Sequence, residues 1–167
     1  MARPPRDYAR QFQAASGPDI FYRTAQEATV DLFKSLYTAV ELVADHKLAR
    51  PLGANAAGAR PRQAELWRSN QSAAVITANL EAARDLYAAA FGPFVPDKGL
   101  DAELRKRFED AVRAAKEVRL ESAVGDAGQR PRVEKLKADC ARLKALIAQK
   151  LAPALGIPLG FNALDGD

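Results

Sequence analysis

Cysteine, histidine, tryptophan and methionine each occur once in this chain of 167 residues. The single Cys140 excludes an intrachain disulfide framework and any multi-cysteine zinc site. The single His46 excludes a two-histidine metal motif and leaves a complete catalytic triad hard to build. No apolar run approaches the roughly 18 residues that a membrane-spanning helix needs. No alternating apolar and polar run of strand length stands out either. Neither sign of charge is blocked: 25 Lys and Arg against 21 Asp and Glu leave +4, interspersed along the chain. So mild a basic balance is poor ground for nucleic-acid binding, and none is expected. The basic start, Met1-Ala2-Arg3-Pro4-Pro5-Arg6, is followed by no apolar core, so no signal peptide is expected in this chain.

What the chain does have is alanine, about a fifth of all residues, with few β-branched ones. Alanine loses no side-chain entropy in a helix, so the composition leans helical. Residues 6–16 read as a short helix with Tyr8 and Phe12 four apart, ended by Gly17-Pro18. The first long helix is expected from about Thr24 to Arg50. Thr24-Ala25-Gln26-Glu27 fits a capping box, and Val30, Phe33, Tyr37, Val40 and Ala44 form the apolar stripe. Pro51 and Gly53 are expected to stop it. Residues 51–63, with two Gly and two Pro, then read as a loop, long for a link between neighbouring helices.

A second helix is expected over about Gln63 to Phe91, with a break near Ser69–Ser72, and a third over about Leu100 to Val124. The fourth starts near Pro131, a residue favoured in a first helical turn, and Pro153 is expected to end it. Its Val133, Leu136, Cys140, Leu143 and Ile147 follow the three-four spacing of a packed helical seam. None of these rods hides its stripe alone. The expected architecture is therefore all-α: an up-down four-helix bundle over residues 24–152, with a long loop after the first helix. An N-terminal segment, 1–23, precedes it, and a C-terminal tail, 153–167, is expected to dock on it.

Few residues carry chemistry. His46 has Leu42 and Arg50 at helical spacing of four, so it reads as a surface histidine near a helix end rather than a ligand. Cys140, on the apolar seam, reads as a buried structural thiol. Trp67-Arg68-Ser69-Asn70-Gln71-Ser72 has two readings. It points polar groups into a cleft, or it is a hydrophobic anchor followed by a helix cap at Ser69 or Ser72. The tail alternates apolar residues with Gly and Pro and ends in Asp165 and Asp167. Those carboxylates fit a hard cation, or equally a solvated end paired with arginines.

The tail Leu155-Gly156-Ile157-Pro158-Leu159-Gly160-Phe161-Asn162-Ala163-Leu164-Asp165-Gly166-Asp167 resembles the C-terminal signature of the imelysin family. Leu48-Ala49-Arg50-Pro51-Leu52-Gly53, Ala59-Arg60-Pro61 and Ala64-Glu65-Leu66-Trp67-Arg68-Ser69 resemble the second half of that family in order and spacing. So does Tyr22-Arg23-Thr24 followed by Leu32-Phe33-Lys34. The resemblance implies a bacterial protein, periplasmic or envelope-anchored and linked to iron uptake. It also implies two packed helical bundles with a site between them. Some members are described as metallopeptidases. The family marker, Gly-x-His-x-x-Glu in the first bundle, has no counterpart here, where Lys47-Leu48-Ala49 follows the one histidine. The implied unit is thus a C-terminal imelysin-like bundle, contributing one side of the site and not expected to cleave peptides by itself. Arg68, Ser69, Asp165 and Asn162 are its candidate cleft residues. Arg68 would orient a carboxylate, Ser69 would exchange a hydrogen bond, and Asp165 would pair with Arg68 or approach a metal. No residue is assigned a catalytic role. Iron or another divalent metal is the implied cofactor of the complete protein, with its ligands unassigned. The implied partner is an N-terminal imelysin bundle, or a second copy through the exposed face.

Overall fold

The computed structural model describes residues 22–158. All regular structure among the described residues is helical, with no strand. The predicted helix 6–16, with Tyr8 and Phe12, lies outside these residues, as do Asn162 and Asp165.

Four rods make up the body. The first, residues 25–52, joins α1 (Ala25–Glu41), a π-helical stretch (Leu42–Leu48) and α2 (Ala49–Leu52). It starts as the sequence predicts. The Thr24 hydroxyl accepts the Glu27 N–H at 3.1 Å, while the Glu27 carboxylate accepts a backbone N–H at 2.7 Å, from Arg23 rather than Thr24. Pro51 does not stop the rod but lies within its last turn. Gly53 stops it, at φ +60°, where a Cβ would fall 2.2 Å from the Gly58 carbonyl oxygen. Only glycine fits that position.

The second rod, residues 72–91, is α3 (Ser72–Leu86) with a π-helical end (Tyr87–Phe91). It starts nine residues later than the periodicity suggests. Residues 53–71 are instead one long loop with two short 3-10 turns, Pro61–Gln63 and Trp67–Ser69. The third rod, α4 (Lys98–Glu117), begins at Asp97, whose carboxylate accepts the N–H groups of Gly99 and Leu100. It ends earlier than predicted, because Val118 is extended, and a separate turn, α5 (Leu120–Ala123), follows. The fourth rod, residues 130–154, comprises α6 (Arg130–Leu146), a π-helical stretch (Ile147–Leu151) and α7 (Ala152–Ala154). Pro153 sits inside its last turn rather than ending it. Gly156, at φ +65°, closes it, and the Ile157 N–H donates to the Ala152 carbonyl at 2.9 Å.

The first rod packs on the second and fourth, and the third packs on the same two. Their stripes meet in two apolar clusters. One gathers Val43, Leu48 and Leu52 with Ile76, Leu80, Ala115, Val133, Leu136 and Cys140. The other gathers Phe33, Leu36 and Val40 with Tyr87, Phe91, Leu104, Phe108, Leu143, Ile147 and Ile157. The predicted seam of the fourth rod is buried throughout. Phe33 meets Phe91 edge-on at 5.3 Å, and Tyr87 stacks on Phe108 at 5.6 Å, tying three rods together.

Candidate functional site

The long loop after the first rod is held at its base and along its length. Arg60 N–H donates to the Pro51 carbonyl at 2.8 Å, closing its base. Lys47 on the first rod reaches Glu65 at 2.6 Å. Ser72 is buried, and its hydroxyl donates to the Glu65 carbonyl at 2.5 Å. Glu121, from α5, accepts the Ser72 N–H at 3.1 Å. A carboxylate at a helix N-terminus satisfies an orphan donor and meets the positive end of the helix dipole. Ala64 is buried, and Ala59 and Trp67 pack against the first cluster.

Between these anchors the backbone is strained. Leu66 (φ 56°) and Asn70 (φ 59°) are both left-handed and bracket the turn Trp67–Ser69. Asparagine tolerates that region, but a leucine there costs on the order of 1–2 kcal/mol. The strain presents side chains outward. Leu66 is 52% exposed, and Arg68 and Ser69 are both exposed. The Arg68 guanidinium lies 4.5 Å from the Trp67 ring centroid, and Arg62 lies 5.6 Å from the same ring. Trp67 is therefore both the hydrophobic anchor and the platform for two cations. Neither Ser69 nor Ser72 caps the second rod with its side chain. Ser69 donates to the Leu66 carbonyl at 3.0 Å, closing the turn, and the cap comes from Glu121.

Of the four candidate cleft residues, Arg68 and Ser69 are neighbours on this loop, and Asn162 and Asp165 lie outside the described residues. Ile157 belongs to the second cluster, whereas Trp67 packs on the first. Sequence reading missed Arg62 as the second cation on Trp67. Its only signal was a position five residues upstream in a loop rich in Gly and Pro.

Two other polar groups are structural. Lys144 on the fourth rod ion-pairs with Asp45 and lies 3.8 Å from Glu41. Burial pulls the Lys144 ammonium down, but its hydrogen bond and charge contact with Asp45 outweigh this and raise it. Neighbouring Tyr37 is raised by burial and then by the Glu41 charge. His46, in the same π-helical stretch, is only partly buried. Cys140 is buried, and burial pushes its thiol up to about 12, which removes it as a nucleophile. Among the described residues, no group of three or more His, Cys, Asp or Glu is placed to hold a metal. No described helix is long and apolar enough to cross a membrane.

No curated protein and no solved structure matches the chain. The family model described as Imelysin does, from residue 2 to residue 148. The match takes in all four rods to near the end of the fourth and the whole of the strained loop. It stops short of the Gly- and Pro-punctuated tail. A match over so much of the sequence settles membership: this chain belongs to the imelysin family.

Proposed function

We propose that this chain is a binding module, an imelysin domain of a bacterial periplasmic protein that serves iron uptake. It contributes one side of a site that a second helical bundle completes. The observation that carries this reading is the loop 53–71. It is fastened to the first rod through Lys47 and to the second through Ser72, yet holds Arg68 and Ser69 outward at the cost of a left-handed leucine. Backbone strain of this kind persists only where the surrounding structure over-determines it, and it clusters at functional sites. Arg68 would orient a carboxylate and Ser69 would exchange a hydrogen bond with the bound group. Asn162 and Asp165 would join them at the same site, and iron or another divalent metal would take its remaining ligands from the partner bundle.

The two clusters support an up-down order of the rods. The end of the first rod shares its cluster with the start of the second, the end of the third and the start of the fourth. The start of the first shares the other with the end of the second, the start of the third and the end of the fourth. Burial of Ile157 supports docking of the first part of the tail. A peptidase reading would need its metal ligands from outside the described residues.

The test is made in the bacterial host under iron starvation. A chromosomal Arg68→Ala substitution is expected to slow growth as deletion of the gene does, while the protein accumulates normally in the periplasmic fraction. Deletion without effect on iron-limited growth would overturn the iron role. Recovery of the protein from the cytoplasm alone would overturn the location.

A further inference from the structure

A guanidinium held over an aromatic ring by cation–π attraction keeps its N–H donors available to another partner. Arg62 and Arg68 both lie over the Trp67 ring. Neither pairs with a carboxylate of the described residues. Each carries five N–H donors in a planar fork matched to a carboxylate. The two guanidinium carbons are separated by at most the sum of their distances to the shared ring, about 10 Å. Two forks so placed lie within the span of one small molecule bearing two or three carboxylates.

We infer that Arg62 and Arg68, braced on Trp67, form a clamp for a small polycarboxylate anion. This rests on the reading of the loop as the binding surface and adds the chemical class of what it binds. The platform supplies what an exposed cation pair lacks. Trp67 packs on the core and restrains both side chains, so less freedom is lost when the forks engage. The left-handed Leu66 and Asn70 fix the turn that carries Arg68, and the 3-10 turn Pro61–Gln63 carries Arg62. The Ser69 hydroxyl donates its proton to the Leu66 carbonyl and so braces the turn that carries Arg68. The clamp is cationic, so it takes a metal only as an anionic chelate whose carboxylates face the arginines.

Trp67 is the only tryptophan in the chain, so its fluorescence reports on this site alone. The 167-residue protein is titrated with citrate, and in parallel with acetate and inorganic phosphate, at low and at physiological salt. Citrate is expected to change the emission saturably, more tightly than acetate or phosphate, and to weaken as salt rises. Arg62→Lys and Arg68→Lys keep the charge and lose the planar fork. Each is expected to weaken citrate by about tenfold, with the helical circular dichroism and melting temperature unchanged. The Arg62→Ala/Arg68→Ala double variant, with calorimetric detection, is expected to abolish binding. Equal binding of citrate and acetate, citrate binding that survives the double variant, or no response to citrate at millimolar concentration would each overturn the clamp. If Arg68→Ala still slows iron-limited growth as deletion does in that case, the loop remains the binding surface and only the ligand class falls.

Discussion

Asp101 shows how a single carboxylate ties a helical hairpin. It accepts the hydroxyl of buried Tyr87 at 2.7 Å and the Arg105 Nε–H at 3.0 Å, linking the end of the second rod to the start of the third. The Arg105 guanidinium also lies over the Tyr87 ring, at 5.8 Å. Burial alone would raise the Asp101 carboxyl. The hydrogen bonds from Arg105 and Tyr87 outweigh it and hold the carboxyl below the ordinary carboxylate value. The folded state therefore releases this proton more readily than the unfolded state. The stabilisation is fully present above the unfolded pKa and is lost as pH falls through the folded one. Asp101→Asn is expected to cost about 1–3 kcal/mol at neutral pH, where charge-assisted hydrogen bonds are lost. The gap to the wild type should narrow below about pH 4. Urea melts of both proteins across that range check it, and a pH-independent gap would show that the charge is not what matters.

At the scale of elements, the rods were legible and the joints were not. The capping box at Thr24, the seam from Val133 to Ile147 and the start near Pro131 are local patterns, and helices obey local patterns. The loop 53–71 runs eight residues past its expected end because long-range contacts override the helical reading of 63–71. Glu65 is engaged by Lys47 and Ser72, and Glu121 caps Ser72 from 49 residues away. Nothing in the spacing announces a left-handed leucine or the three π-helical stretches. At the candidate site, Arg68 and Ser69 were readable from their company around the lone tryptophan. Arg62 was not, because its approach to the Trp67 ring depends on a fold-back of the loop.

Arg130 was equally hidden. Only 6% exposed, it donates to the Leu52 and Val124 carbonyls at 2.8 Å each and to Glu134 at 2.6 Å. It thereby satisfies a carbonyl at the end of the first rod, where four carbonyls lack helical partners. Arg130→Met keeps the length of the side chain and removes every donor. It is expected to cost about 1–3 kcal/mol, because the Leu52 and Val124 carbonyls lose their donor while half-exposed Glu134 stays solvated. The loss should exceed that of Arg132→Met, an exposed neighbour on the same helix. Chemical denaturation of the two variants checks the ranking.

Over the whole molecule, the two apolar clusters share the same four rods. Val43, Leu48 and Leu52 of the first rod serve one, and Phe33, Leu36 and Val40 serve the other. The second rod divides between Ile76 and Tyr87, the third between Ala115 and Phe108, and the fourth between Leu136 and Leu143. No rod can leave one cluster without withdrawing from the other, so the chain is expected to unfold in one cooperative transition. Leu136→Ala and Leu143→Ala each open a cavity in a different cluster and should each cost about 2–5 kcal/mol. They lie seven residues apart on one helix, about 10 Å along its axis, a distance at which such losses usually add. Calorimetry should find equal calorimetric and van't Hoff enthalpies in the wild type and both variants. A second transition appearing only in Leu136→Ala would mean that the end bearing the strained loop opens on its own. The Arg-Trp-Arg platform would then rest on the less stable half of the bundle, and its affinity for citrate should fall with Leu136→Ala and not with Leu143→Ala.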